Sequence, residues 1–321
     1  MAVTRVRRVA FIGTGIMGAP IAGHILDAGY QLVVHNHTRA KAQPLLDRGA
    51  TWADTPAQAA RQADVTFTMV GYPNQVEDVY LGKDGILDAA GKGAWMVDLT
   101  TSSPQLAKEL HDAADVTDKH FVDCPVTGGQ TGAQEGTLTL MVGSTPAKVN
   151  PILPVLECFS NSIYYFGEPG SGMTAKLCNQ VALAGCMVGY AEALGLAQQS
   201  GLDQRELIDL IMHGTGNSGA LQSLAPKSVD GDFRPGFMNE HFRKDLALAI
   251  RQAEDQELTL PGTRNAFDLY DTLCSVGGSR LGTQAISLMY EDEETCVAAG
   301  LDWTLLDGQP QDDSQASAEE W

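Results

Sequence analysis

A single lysine, Lys176, interrupts the segment GSGMTAKLCNQ at residues 170–180, which opens a stretch of small and apolar residues reaching Gln199. Between Met173 and Gln199 the other charged residue is Glu192, more than four helical turns further on. Burying an amine away from opposite charge is costly, and the usual relief is a lowered pKa that leaves it neutral part of the time. Such a lysine trades protons near neutral pH. On a helix, Asn179 and Gln180 at i+3 and i+4 share its face, followed by Leu183 and Met187. An amide beside a proton-trading amine can orient a substrate oxygen. The alternative is a lysine whose stem packs while its amine reaches solvent.

A second chemical signature stands at the start of the chain, in VAFIGTGIMGAPIAGHIL. An apolar strand runs into Gly13, Thr14, Gly15, Ile16, Met17 and Gly18 and then into a helical pattern, the context in which GxGxxG carries weight. Glycines there allow a tight turn and close backbone approach, and the new helix offers free N–H groups and its positive end to a pyrophosphate. A dinucleotide is the expected ligand. At the end of the second strand an NAD-preferring site usually has Asp or Glu for the ribose hydroxyls, whereas this chain reads Asn36, His37, Thr38, Arg39. The missing acid tips the choice toward NADP; NAD stays open, since Asn36 can serve a ribose diol. A third segment, FVDCPVTGGQTGAQEGTLTLMVG, follows a strand end with Thr127, Gly128 and Gly129, whose hydroxyl and successive N–H groups suit a carboxylate. Gly132 and Gly136 are expected to extend that loop. A ligand-free glycine hairpin is the other reading of this spacing.

The elements that must hold these residues divide the chain in two. Short apolar strands at Arg8–Ile12, Gln31–His35, Val65–Val70, Ala94–Leu99, His120–Asp123 and Thr137–Val142 alternate with helical stretches, the pattern of a doubly wound parallel α/β sheet. From residue 170 the pattern is helical: Met173–Gln199, Gln204–Met212, Arg243–Glu257 and Pro261–Cys274. We therefore expect a Rossmann-type domain over residues 1–168, an all-helical domain over 169–302 and an acidic, disordered tail over 303–321. Pro169 and the glycines of FGEPGSG mark the boundary.

With 321 residues, the chain is long enough for two cores. Its net charge of -19 repels polyanions, so nucleic acid is an unsuitable partner. Six cysteines without a CxxC pair suit reduced core thiols. Basic residues ahead of VAFIG imitate a secretory leader, but the apolar run is too short, and no run is expected to cross a bilayer. A soluble, cytoplasmic protein without a membrane partner is the expectation. A long central helix leaves much surface to cover, which favours a homodimer or homotetramer. Asp123, His213 and His241 lack ligand-spaced partners and are read as structural, and no metal is expected.

Taken together, GTGIMGAP, DCPVTGGQTGAQEGTLTLMVG, GSGMTAKLCNQ and HFRKDLALA resemble, in order, the four motifs of the β-hydroxyacid dehydrogenases, the family of 3-hydroxyisobutyrate dehydrogenase and tartronate semialdehyde reductase. The resemblance spans residues 8 to about 289, nearly all but the tail. It implies a 6-phosphogluconate dehydrogenase-like helical domain and an NAD(P)-dependent oxidoreductase acting on a short hydroxyacid or semialdehyde. It also implies that Lys176 is the general acid and base, that Thr127, Gly128 and Gly129 hold the substrate carboxylate, and that Asn179 and Gln180 contact substrate. Val70, Gly71, Tyr72, Pro73, Thr101 and Lys244 would contact the cofactor, with Lys244 reaching over the nicotinamide region. Thr127 departs from the family's usual serine, and His37 from the arginine of NADP-using relatives. A 3-hydroxyisobutyrate-like substrate, tartronate semialdehyde, glyoxylate and succinic semialdehyde all fit these motifs. A non-catalytic nucleotide-binding relative and the imine reductases both lack the lysine, which disfavours them.

Overall fold

Strand β1 (Arg8–Ile12) is exposed at its first residue and buried over the remaining four, as a strand covered on both faces must be. The computed structural model describes residues 6–306. Around β1 lie β2 (Gln31–His35), β3 (Thr51–Trp52), β4 (Val65–Thr68), β5 (Trp95–Asp98) and β6 (His120–Asp123), in the all-parallel order β3-β2-β1-β4-β5-β6. The order reverses between β1 and β4, which opens a crevice beyond their C-terminal ends. Phe11 stacks on Phe67, and Phe67 meets Phe159 edge to face, in the core beneath it.

A smaller sheet, β7 (Val126–Thr127), β8 (Leu138–Val142) and β9 (Ser160–Tyr165), pairs β7 antiparallel and β9 parallel to β8. Of these, β7 and β9 escape the sequence reading, as does β3: two are dipeptides, and the third begins with the polar SNS. The helices of this half that bear on function are α1 (Gly18–Asp27), α2 (Pro73–Leu81), α3 (Pro104–Asp115) and α4 (Gly129–Glu135). The segment from Gly129 to Glu135, expected as loop, is therefore helical. Gly128 and Gly129, at φ +127° and +61°, reverse the chain into it, and left-handed Gly136 ends it by donating to the Gly132 carbonyl.

The chain splits into two compact units between Lys176 and Leu177, inside the long helix α5 (Ser171–Gln199). The first turn of α5 belongs to the first unit because Met173 packs with Met96, Leu110 and Phe121. In the second unit α5 continues through Met187, Tyr190, Ala191 and Leu194 into a core shared with α6 (Gln204–Met212), α7 (Gly219–Val229), α8 (Asn239–Glu254) and α9 (Pro261–Ser275). Phe242 meets Tyr270 edge to face, with ring centroids 4.9 Å apart. Helix α8 begins four residues before its expected start; Asn239 is buried there and donates to the Gly278 carbonyl.

Two further expectations are corrected. By length and composition α5 is apolar enough to cross a bilayer, although no run was expected to reach that length; its Met187, Ala191 and Leu194 are buried in the second core. The tail does not begin at residue 303: α10 (Glu293–Ala298) is followed by a 3-10 turn, Trp303–Leu306, whose Trp303 and Leu306 pack on the second core. The rest of the expected tail lies outside the described residues.

Candidate active site

At the end of β1 the three glycines of the fingerprint do different jobs. Gly13, at φ +96°, passes so close to the Met69 carbonyl that a methyl would strike it, and a methyl on Gly18 would strike the Gly13 carbonyl. Gly15 faces open space, with nothing within 4 Å of where a side chain would start. Two glycines thus pack the turn and the third leaves room for a ligand. Helix α1 has no side-chain cap and no acid in its first turn, so its positive end remains for an anion, although the Ala19 N–H is taken by the Gly15 carbonyl and Pro20 has no N–H.

Asn36, at the end of β2, accepts from the Thr14 N–H through Oδ1 at 3.0 Å and donates to the Thr38 carbonyl. His37 and Thr38 are exposed beside it. Arg39 lies with its guanidinium 5.2 Å from the centre of the Trp52 ring, against which His35 also packs. The Thr14 hydroxyl is buried without a hydrogen-bond partner, and so is that of Ser102 beyond β5. Two orphaned hydroxyls beside the uncapped helix and the open Gly15 fit a polar ligand in the crevice. The residues present suit a dinucleotide.

The loops after β4 and β5 are tied to each other. The Val70 N–H donates to Thr100 Oγ1 at 3.0 Å, and the Thr100 N–H donates to Asp98 Oδ1 at 3.0 Å. Gly71 donates to Gln75 Oε1, Tyr72 is half-buried, and buried Pro73 starts α2. Thr101 is half-buried, and the Ser102 N–H meets Met173 Sδ at 3.5 Å. Burial pushes the Asp98 carboxyl up to about 6, against the pull of its Thr100 and Thr68 donors and with the added charge of Asp123.

Asp123, read from the sequence as structural, lies in register with Asp98 on the neighbouring strand. Its two carboxylate oxygens accept from Gly170 N–H at 3.0 Å and Met173 N–H at 2.9 Å, clamping the start of α5. Lys176 follows Met173 by three residues, in the second turn, and is buried. Gly172 lets this turn press onto the Met141 and Asp123 carbonyls, where a methyl would collide. Burial raises the Asp123 carboxyl above its ordinary value, opposed by these N–H donors. On the chain leaving Asp123, Thr127 is half-buried and pairs with Thr139, while Gly128 and Gly129 are exposed at the start of α4.

In the second unit, Asn179, Gln180 and Lys244 come together around Asp245. Asn179 Nδ2 donates to Gln180 Oε1 at 2.9 Å, and Gln180 Nε2 donates to Asp245 Oδ2 at 2.7 Å. Lys244 Nζ stands 2.8 Å from Asp245 Oδ1, with Gln180, Lys244 and Asp245 all buried. His241, one turn before Lys244, is pushed below the ordinary imidazole value by burial and by the Lys244 charge. His213 is exposed and bonds to the Asp209 carbonyl. Asp98 and Asp123 are residues whose partners the sequence did not give, Asp123 being read only as structural, and Asp245 was missed as well. The signal for the first two was an acid closing an otherwise apolar parallel strand, a place where burial must be answered by donors.

Residues 8–167 match the family described as the NAD binding domain of 6-phosphogluconate dehydrogenase, and residues 170–290 match the NAD-binding domain of NADP-dependent 3-hydroxyisobutyrate dehydrogenase. The chain is 39% identical over 285 residues to a probable 3-hydroxyisobutyrate dehydrogenase-like protein of Arabidopsis thaliana, covering 88% of this chain and 85% of that one. The chain belongs to the β-hydroxyacid dehydrogenase family. A second relative, the 2-hydroxy-3-oxopropionate reductase of Escherichia coli, is 35% identical over 286 residues, covering 88% of this chain and 98% of its own. Among solved structures, the 3-hydroxyisobutyrate dehydrogenase of Mycobacterium tuberculosis with L-serine superimposes with a TM-score of 0.82 at 30% identity, over 89% of this chain and 99% of that one. As a β-hydroxyacid dehydrogenase, the chain is an NAD(P)-dependent oxidoreductase that acts on CH–OH groups.

Proposed function

We propose that this β-hydroxyacid dehydrogenase interconverts a short, 3-hydroxyisobutyrate-like β-hydroxyacid and its semialdehyde, with Lys176 moving the proton. The observation that carries this reading is the buried amine in the second turn of a helix whose first turn is fixed by the Asp123 carboxylate. When bound, the nicotinamide takes up the hydride in oxidation and supplies it in reduction. Lys176 Nζ accepts the hydroxyl proton as the C–H bond breaks, and in the reverse direction returns it to the carbonyl oxygen. Asn179 and Gln180, on the same helix at i+3 and i+4, orient that oxygen. Thr127 and the N–H groups of Gly128 and Gly129 receive the carboxylate. The dinucleotide is held by Gly13–Gly18 and by Val70–Pro73 and Thr101.

NADP is favoured over NAD, because no acid ends β2 and Arg39 is close by. A homo-oligomer is favoured by the exposed small-residue stripe Cys178, Ala182, Gly185 and Gly189 along α5. The decisive experiment is a panel of 3-hydroxyisobutyrate, L-serine, tartronate semialdehyde, glyoxylate and succinic semialdehyde with both cofactors, followed by absorbance of the reduced nicotinamide. We expect the highest kcat/KM on 3-hydroxyisobutyrate with NADP. Activity confined to the semialdehydes that lack the branched methyl would replace the substrate assignment. Inactivity across the panel, with dinucleotide still bound, would refute the class.

A further inference from the structure

The mechanism leaves the buried carboxylate of Asp98 without a role. Asp98 ends β5 in a buried position between Thr68 on β4 and Asp123 on β6, where a leucine would spare the cost of burying a charge. Its bonds show what it does instead. Asp98 Oδ1 accepts from Thr68 Oγ1 at 2.8 Å and from the Thr100 N–H at 3.0 Å. The Thr68 hydrogen is directed at Asp98, so the Tyr80 hydroxyl, 3.0 Å from Thr68 Oγ1, is the donor of that pair. Thr100 Oγ1 in turn accepts from the Val70 N–H at 3.0 Å. Thr68, Asp98 and Thr100 are all buried.

These bonds close a ring. One carboxylate oxygen holds Thr68, the last residue of β4 and two positions before Val70, and Thr100, the second residue after β5. That residue's hydroxyl then holds Val70 itself. We propose that Asp98 is a positioning residue that locks the two loops Val70–Pro73 and Thr100–Ser102 to each other so that they present one preformed surface to the dinucleotide. This rests on the reading above that both loops touch the cofactor. Because the lock needs an acceptor rather than a charge, asparagine at this position keeps it through its own Oδ1, whereas leucine fills the space and breaks it.

The test is a fluorescence titration of NADH and NADPH with the full-length wild type, Asp98→Leu and Asp98→Asn, alongside steady-state kinetics at saturating cofactor. The expected result is a Kd at least tenfold weaker in Asp98→Leu, by the same factor for both dinucleotides, with kcat at saturation within threefold of wild type. Asp98→Asn should bind within twofold of wild type, a rescue that general loosening of the fold would not give. Wild-type binding by Asp98→Leu, equal weakness of the two variants, or unequal effects on NADH and NADPH would overturn the proposal. Should Asp98→Leu not fold, Thr68→Val, which removes one arm of the lock, should weaken Kd at least threefold while Thr68→Ser restores it. Equal Kd values in wild type and the two Thr68 variants would overturn it. A wild type that binds neither dinucleotide would overturn the reading of the loops as well, which separates the two failures.

Discussion

Alanine at Gly15 separates the ligand-facing glycine of the fingerprint from those that only pack. Gly15 is not in the left-handed region, and a methyl placed on it meets nothing within 4 Å. The folded protein therefore tolerates Gly15→Ala, and reduced freedom of the unfolded chain should raise stability by about 0.4–1 kcal/mol. The methyl nevertheless points into the space a pyrophosphate must enter. Overpacking a closely fitted contact costs about 1–3 kcal/mol, equivalent to a Kd about 5- to 150-fold weaker. Gly18→Ala is the control, since its methyl collides with the Gly13 carbonyl and meets Phe11 at 3.0 Å. It should lower Tm by several degrees, at about 2–4 °C per kcal/mol for a domain of this size. Thermal unfolding and NADPH fluorescence titration on the two variants give the comparison. A Gly15→Ala protein that is stable and binds NADPH like wild type would refute the assignment of this turn to the pyrophosphate.

Lys176→Ala should cut kcat by about 10²–10⁴-fold, the contribution of general acid–base catalysis, while the Kd for NADPH stays within twofold; intact turnover would dismiss the lysine as proton carrier. Asp123→Ala deprives two helix N–H groups of a charged acceptor at about 1.5–3 kcal/mol each, so urea unfolding should register a loss of at least about 3 kcal/mol. Asp98 binds its proton more tightly in the folded state, at about 6 against 3.8. Its contribution is therefore fully present below pH 3.8 and declines as pH rises through 6, by about 3 kcal/mol in all. The stability of Asp98→Asn relative to wild type should thus rise between pH 4 and pH 7.5 in urea titrations, and a flat difference would show that the carboxyl is not strained by burial. His37→Asp should move the NAD to NADP ratio of kcat/KM toward NAD, and an unchanged ratio would remove β2 from cofactor choice.

The alternation of apolar runs and helical stretches made the parallel sheet readable, because strands covered on both faces must be apolar throughout. Arg8–Ile12, Gln31–His35 and His120–Asp123 stand where that pattern put them. The small sheet was not readable: Val126–Thr127 is too short to show a period, and Ser160–Tyr165 is a partly exposed edge that carries polar residues. Thr127 to Gly136 looked like loop because glycine marks both a turn and a tight helix start; only the positive φ of Gly128, Gly129 and Gly136 distinguishes them. Lys176 stood out as a cation in an apolar helix. Asp98 and Asp123 did not, since the Thr68 hydroxyl on one and the Gly170 and Met173 N–H groups on the other are 30 to 50 residues away, contacts that no local spacing records.

Trp52, at the end of β3, has the Arg39 guanidinium over its ring and the His35 imidazole beside it. An indole whose emission depends on a neighbouring cation is a built-in optical gauge of that cation's whereabouts. Adenosine 2′,5′-bisphosphate, which has no nicotinamide, would then draw Arg39 toward its 2′-phosphate and change the emission, while 5′-AMP would leave it nearly unaltered. A shift in Trp52 emission with one ligand and not the other would thus report cofactor preference without any turnover.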